Sequence, residues 1–178
     1  MAACRCGLGV HVDAGTLRNV RSMKIIPLTL REANDFVERW HRHSARTSND
    51  GGKFAIGLEH SGQLVGCAIV GRPVARMLQV PGAAELLRLC TSPEAPKGSA
   101  SKLYTRAKRI WQQMGGTTIH TYTLKRESGA SLRGAGIHEA AAEVDPQQWT
   151  RPSRERERRA IYDEPKLRWT EQLDEIPT

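Results

Sequence analysis

Two periodicities alternate along this chain, and each change of period marks an element. Lys24-Ile25-Ile26-Pro27-Leu28 is short and apolar, and Pro27 places it at a sheet edge or strand end. Thr29 followed by Glu32 makes a capping-box pattern, after which Leu30, Ala33, Phe36, Val37 and Trp40 recur at helical spacing. Trp40-His41-Arg42-His43 closes that helix, and a polar loop runs from Ser44 to Lys53. Lys53 to Leu58 and Gln63 to Val70 read as a hairpin around Glu59-His60-Ser61-Gly62. Met77 to Val80 reads as extended. Ala84 to Thr91, apolar and bounded by glycine and proline, reads as a central strand.

The clearest helix runs from Ser99 to Met114. Ala100, Leu103, Tyr104, Ala107, Ile110, Trp111 and Met114 keep to one face, the basic residues lie largely off it, and Gly115-Gly116 stops it. Thr117 to Leu124 is β-branched and aromatic, hence a strand. Strand, helix and strand form a βαβ crossover, which predicts parallel pairing of the two strands. A loop and short helix follow over Glu127 to Gly136, and Leu167 to Leu173 reads as a late strand. The expectation is an α/β fold with a mixed, twisted sheet, a central βαβ and flanking helices. A single domain is expected over residues 23–178, preceded by a disordered tail at 1–22.

The junction inside the βαβ carries the first chemical signal. Pro93-Glu94-Ala95-Pro96-Lys97-Gly98-Ser99-Ala100-Ser101 joins the central strand to the helix. Small residues there leave backbone N–H groups bare at a positive helix terminus, which suits phosphate. A Walker loop is excluded because no Gly-x-x-x-x-Gly-Lys-Ser/Thr run exists. A dinucleotide fingerprint needs three spaced glycines after the first strand, and only Gly98 is present, mid-chain. Gly129-Ala130-Ser131-Leu132-Arg133 falls short of a nucleophile elbow because Arg133 replaces its last glycine. The order Ser, Asp, His also fails, since His138 precedes Asp145 and Asp163.

Charge narrows the partners. Lys+Arg total 27 against 19 Asp+Glu, a formal net charge of +8, which favours an anionic partner such as nucleic acid or a phosphorylated cofactor. No apolar run is long enough to span a membrane as a helix. Cys4, Cys6, Cys67 and Cys90 lack a disulfide-scaffold pattern, so a reducing cytoplasm is the expected compartment.

The order of elements resembles the Gcn5-related N-acetyltransferase (GNAT) superfamily. Gly98-Ser99-Ala100 matches the second half of that family's cofactor motif, Gln/Arg-x-x-Gly-x-Gly/Ala, while Ala95 stands at the Gln/Arg position and Lys97 could supply the charge. The resemblance implies acetyl-CoA, or another acyl-CoA, as cofactor. Lys97, Gly98, Ser99, Ala100 and Ser101 would hold its phosphates, and backbone N–H groups of Leu89, Cys90 and Thr91 its acyl carbonyl. Ser131 to Ile137 resembles the family's helix ending in Leu-Tyr-x-x-x-Gly-Phe, with Leu132 where the family often carries a general-acid tyrosine.

Further blocks resemble a narrower group, small GNAT-like proteins of phages and mobile elements linked to the Mom DNA-modification proteins. They are Trp40 to His43, Leu64 to Arg76, Arg88 to Thr91, Tyr122 to Leu124, Ser131 to Gly136, Arg151-Pro152-Ser153 and Pro165 to Trp169. That resemblance implies modification of an adenine amine in DNA.

Several residues could do the work. Glu85 could deprotonate an amine, or simply pair with Arg88. His41 and His43 could act as bases or be surface residues; positions i and i+2 diverge on a helix, so no metal centre is expected of them. Ser128 could meet a substrate or cap the short helix. Tyr122 could be an acid or core. Arg72, Arg76 and Arg133 could contact phosphates, and the run Arg151 to Arg159 could track a nucleic-acid backbone or stay solvated. Three readings follow: an acyl-CoA-dependent N-acyltransferase, a Mom-like DNA-base modifier, and a non-enzymatic basic nucleic-acid-binding module on a degenerate GNAT fold.

Overall fold

Pro27 offers no N–H to a ladder, and its strand, β1 (Lys24–Leu28), is accordingly the edge of a seven-stranded sheet. The computed structural model describes residues 23–41, 46–47, 51–137, 142–144 and 164–174. The expected tail at 1–22, His43 and the arginine run 151–159 lie outside them. After β1 comes α1 (Leu30–Trp40), entered through the capping box: Thr29 Oγ1 accepts from the Glu32 N–H, and Glu32 accepts from the Thr29 N–H at 2.8 Å. β2 (Gly52–His60) and β3 (Gln63–Gly71) form the hairpin, turning through Ser61 and Gly62, both at positive φ. The segment expected to be extended at Met77–Val80 instead contains a 3₁₀ turn, Arg76–Leu78.

β4 (Ala83–Thr91), α2 (Ser99–Gln113) and β5 (Thr118–Leu124) make the crossover, and β4 pairs parallel with β5 as expected. The short α3 (Ala130–Arg133), β6 (Ala142–Val144) and β7 (Lys166–Gln172) complete the chain. β7 inserts between β5 and β6, giving the order β1-β2-β3-β4-β5-β7-β6.

Two apolar layers flank the sheet. On one face, Leu103, Ala107 and Trp111 of α2 pack on Ile56, Leu58, Val70, Ala84, Leu86 and Ile119. On the other, Ala33, Phe36 and Val37 of α1 pack on Cys67, Ile69 and Cys90. Each fully buried leucine or isoleucine in these layers contributes about 1.5–3 kcal/mol. Among the described residues no helix is long and apolar enough to cross a membrane.

One irregularity shapes the centre. Ile69 opposes Arg88 but Val70 opposes Leu86, so Leu87 is an extra residue, a β-bulge in β4. Parallel pairing with β5 covers only Ala83–Glu85 against Thr118–His120, although both strands continue for several residues. Beyond Glu85 the strands part and leave a slot through the sheet.

Gly71 lies against the bulge: a Cβ there would sit 2.0 Å from Gly51 O and 2.5 Å from Leu87 Cδ1. The backbone carbonyl cannot move aside without breaking the Gly51 O to Arg72 N–H bond of 2.9 Å. Gly71→Ala is therefore expected to cost about 1–3 kcal/mol, the range of an overpacked core. The midpoint of urea unfolding should fall accordingly; an unchanged midpoint would show that the bulge does not depend on this contact.

Candidate active site

The parted strands form the walls of a cleft of about 760 Å³. β4 contributes Glu85 to Thr91, β5 contributes Thr121 to Leu124, α2 contributes Ala100 and Tyr104, and Lys166, Trp40 and His41 close the far side. The cleft has two chemically different ends because side chains alternate across the sheet.

Backbone geometry defines one end. The Ser92 N–H donates to Val65 O at 2.9 Å, so along β4 the alternate N–H groups, including that of Cys90, turn toward β3. Those of Leu89 and Thr91 therefore point into the slot. The Cys90 thiol faces α1 instead, 3.8 Å from Cys67 Sγ, and the hydrogen bond with this neighbour first, then burial, push the Cys67 thiol far up. Of the three residues expected to hold an acyl carbonyl, all line the cleft, but Leu89 and Thr91 supply the free N–H directions.

At the start of α2, Gly98 takes the left-handed conformation (φ 87°) and no side chain caps the helix. A Cβ on Gly98 would meet nothing within 4 Å, so space is open before the helix terminus. Among the described residues no acceptor meets the Ala100 or Ser101 N–H. Ser99 differs from expectation: its hydroxyl donates to Pro96 O at 2.6 Å and its N–H bonds the same carbonyl at 3.1 Å. It shapes the turn and has neither group left for a ligand. Lys97 is exposed beside this entrance.

Glu85 sits at the vertex of the slot, the last β4 residue paired with β5. It is 5% exposed, and its Oε2 accepts the Val74 N–H at 2.8 Å. Burial pushes its carboxyl up to about 7, against the opposing pull of that hydrogen bond and of Arg88 and Lys166. A carboxyl balanced near neutrality and facing a cleft is suited to take a proton.

Around it stand groups that sequence reasoning missed or underweighted. Tyr122 lines the same wall; burial first and the Glu85 charge second push its phenol up to about 12. Lys166 is half-buried, and burial first, then the Arg88 guanidinium, pull its ammonium below the lysine range. Tyr104, counted in the apolar stripe of its helix, reaches the cleft, bonds Thr121 and is pushed up to about 12 by burial. The signal for Lys166 was legible: Lys166, Arg168 and Thr170 alternate with Leu167 and Trp169, which puts both cations on one face.

Other expected residues scatter. His41 lines the cleft at the end of α1. Ser128 borders it too, and its Oγ accepts the Ala130 N–H at 3.3 Å in the turn before α3, whose cap position is Gly129. Leu132 is fully buried with Ile137 and Trp169. Arg72 and Arg76 are exposed on the loop after β3, and Arg133 is exposed on α3; none of the three lines the cleft. Among the described residues no cluster of His, Cys, Asp and Glu could hold a metal.

Because the folded-state pKa of Glu85 is raised from 4.5 to about 7, the native state binds the extra proton between those values, and stability falls as pH rises through them. Glu85→Gln keeps an oxygen for the Val74 N–H and removes this dependence. The variant should be more stable than the parent at pH 8, by on the order of 3 kcal/mol at most, and no more stable near pH 4.5. Urea midpoints at the two pH values check this; parallel pH profiles would refute the burial argument.

No family model matches the chain, and no curated protein matches it. Solved structures do. The ribosomal-protein-S18-alanine N-acetyltransferase from Escherichia coli is similar at 12% identity and a TM-score of 0.62, over 88% of this chain and 97% of that one. A Bacillus subtilis acetyltransferase in complex with CoA is similar at 13% identity and a TM-score of 0.59, over 85% and 99%. An acetyltransferase of the GNAT family from Streptococcus pneumoniae is similar at 10% identity and a TM-score of 0.57, over 86% and 100%. At these identities the likeness speaks of architecture: the chain has the GNAT fold.

Proposed function

We propose that this protein is an acyl-CoA-dependent N-acyltransferase acting on an amine. The observation that carries the reading is the slot itself: two parallel strands part beside a helix entered through Gly98, and a carboxyl near neutrality stands at their vertex. A bound acyl-CoA would supply an activated acyl group. The residues present fit it. The Leu89 and Thr91 N–H groups face the slot, the Ala100 and Ser101 N–H groups face the space before α2, and Lys97 can replace the charge absent at Ala95.

The protein's own part is to desolvate and to move protons. In this reading Glu85 takes the proton of an ammonium acceptor, which then becomes the nucleophile. His41, on the opposite wall, is a second proton acceptor. Tyr104, its phenol pushed up to about 12 by burial, reaches the cleft from α2 and stands in for the family tyrosine replaced by Leu132. Ser128 orients the α3 turn.

The Mom-like reading, with a base amine of DNA as acceptor, draws support from the +8 charge and from one loop. Arg72 and Arg76 are exposed there, Met77 is 91% exposed, and Val74 reaches the cleft. Duplex DNA would have to present a flipped base to such a cleft. A basic nucleic-acid-binding module without catalysis is the reading left if CoA does not bind.

Calorimetry with acetyl-CoA should show saturable binding that is lost in Gly98→Glu, where a carboxylate enters the open space before α2. Absence of binding at millimolar cofactor would overturn the reading. Glu85→Gln should bind acetyl-CoA as the parent does yet lose roughly 10²–10⁴-fold in turnover of any accepted amine. For the DNA reading, the masses of nucleosides from cells expressing the protein should shift; unchanged masses and no DNA affinity at low salt would remove it.

A further inference from the structure

The loop after β3 is fastened to Glu85 through one peptide unit. The Val74 N–H donates to Glu85 Oε2 at 2.8 Å, and the carbonyl of the same unit, Pro73 O, accepts from Gln79 Nε2 at 2.8 Å. A trans peptide is planar, and its C=O and N–H point in opposite directions. Gln79 and Glu85 therefore hold the two ends of one rigid plate. Pro73 is fully buried, which fixes the plate on its carbonyl side. The 3₁₀ turn Arg76–Leu78 brings Gln79 back to this carbonyl: the Leu78 N–H bonds Ala75 O at 3.0 Å and the Gln79 N–H bonds Arg76 O at 3.1 Å. Gln79 is itself exposed, so the hydrogen bond, not core packing, places its side chain.

Hydrogen bonds in a chain polarise one another. A donor on Pro73 O strengthens the Val74 N–H as a donor to Glu85 and, by fixing the plate, aims it. That N–H opposes the burial of the carboxyl more than any other group does. The remaining groups around Glu85 come from other elements. Arg88 of β4 and Lys166 of β7 pull on it, and Tyr122 of β5 feels its charge. His120 stands opposite it in β5, with Nδ1 bonded to Thr170 Oγ1 at 2.9 Å. His41 and Glu127 line the same cleft, and Glu127 Oε2 accepts the Leu124 N–H at 3.1 Å. Arg72 and Arg76, on the loop itself, are exposed. We infer that Gln79 is a positioning residue for Glu85: through the Pro73–Val74 peptide it aims an N–H at the carboxyl and fixes it at the vertex of the cleft. Calling Glu85 the base rests on the acyltransferase reading; the link from Gln79 to its carboxyl does not.

The test is a pH titration of the full chain, carrying carbon-13-labelled glutamate, followed by NMR. The Glu85 carboxyl signal is the one absent from Glu85→Gln. Gln79→Met keeps the length of the side chain, adds no charge and removes the donor. In it the Glu85 midpoint should rise by about half a unit, the worth of one modest hydrogen bond. The Val74 amide proton, which moves with that titration in the parent, should move less. Gln79→Ala should shift the midpoint in the same direction, and it decides the matter if circular dichroism shows Gln79→Met misfolded. A Gln79 that merely stiffens the loop would lower the urea midpoint and leave the Glu85 titration where it was. An unmoved or lowered Glu85 midpoint in a folded variant would therefore overturn the inference. Acetyl-CoA, titrated by calorimetry in parallel, should bind Gln79→Met as it binds the parent. A shifted Glu85 in a protein that binds no acetyl-CoA would sink the acyltransferase reading alone. Acetyl-CoA binding with an unmoved Glu85 would sink this inference alone.

Discussion

The fold turns on one side chain at the closed end of the slot. Trp111 Nε1 donates to Gly82 O at 3.2 Å and to Thr118 O at 3.1 Å, tying the residue before β4 to the first residue of β5. The same Gly82 carbonyl accepts from the Thr117 and Thr118 N–H groups. Gly116 permits the arrangement, since a Cβ there would lie 2.2 Å from the indole nitrogen. Lys53 Nζ covers the ring 5.0 Å from its centre. The sheet is held at this end, and beyond Glu85, where β4 bulges at Leu87, its pairing with β5 stops. The Thr121 hydroxyl, 3.3 Å from Leu86 O, gives that carbonyl a partner where the ladder has stopped.

Position explains the chemistry of Glu85 better than sequence neighbours do. It is the last residue of β4 paired with β5, so the closed end buries it while the slot begins beside it. Burial disfavours the charged form. The Val74 N–H, and after it the cations of the same wall, pull the other way. The bulge also fixes which residues face the amine side, because it shifts the alternation of β4 by one and brings Arg88 and Cys90 to the α1 face with Glu85.

The parts of this architecture governed by local rules could be read from the sequence. The capping box at Thr29, the hairpin turn at Gly62, the stripe of α2 and its entry at Gly98 each depend on a few adjacent residues. Glu85 was legible as a candidate because it begins an apolar strand. What escaped were consequences of pairing between distant segments. Leu87 looks like any other strand leucine, and its bulge appears only against Val70 and Ile69. β6 and the insertion of β7 between β5 and β6 depend on ladders that no local pattern announces. Ser99 read as a phosphate contact because its type suits one, but Pro96 O takes its hydroxyl. Tyr104 was hidden by its own helix, whose apolar stripe faces both the core and the slot.

The same distinction bears on the net charge of +8. As a sum it favours any polyanion and says nothing of where the charge acts. Arg72, Arg76 and Arg133 are exposed, and in water screening leaves such charges free to serve solubility or a nucleic-acid surface alike. Arg88 and Lys166 stand in a partly desolvated wall beside Glu85, where each charge is felt more strongly by its neighbours and where burial has a cost. The depressed Lys166 and the raised Glu85 are two signs of that cost on one wall. Charge placed there acts within the cleft, pulling on Glu85 against its burial, whereas the exposed arginines act at the surface. The chain's basic character is thus two features with one sign, and the buried one is the more specific.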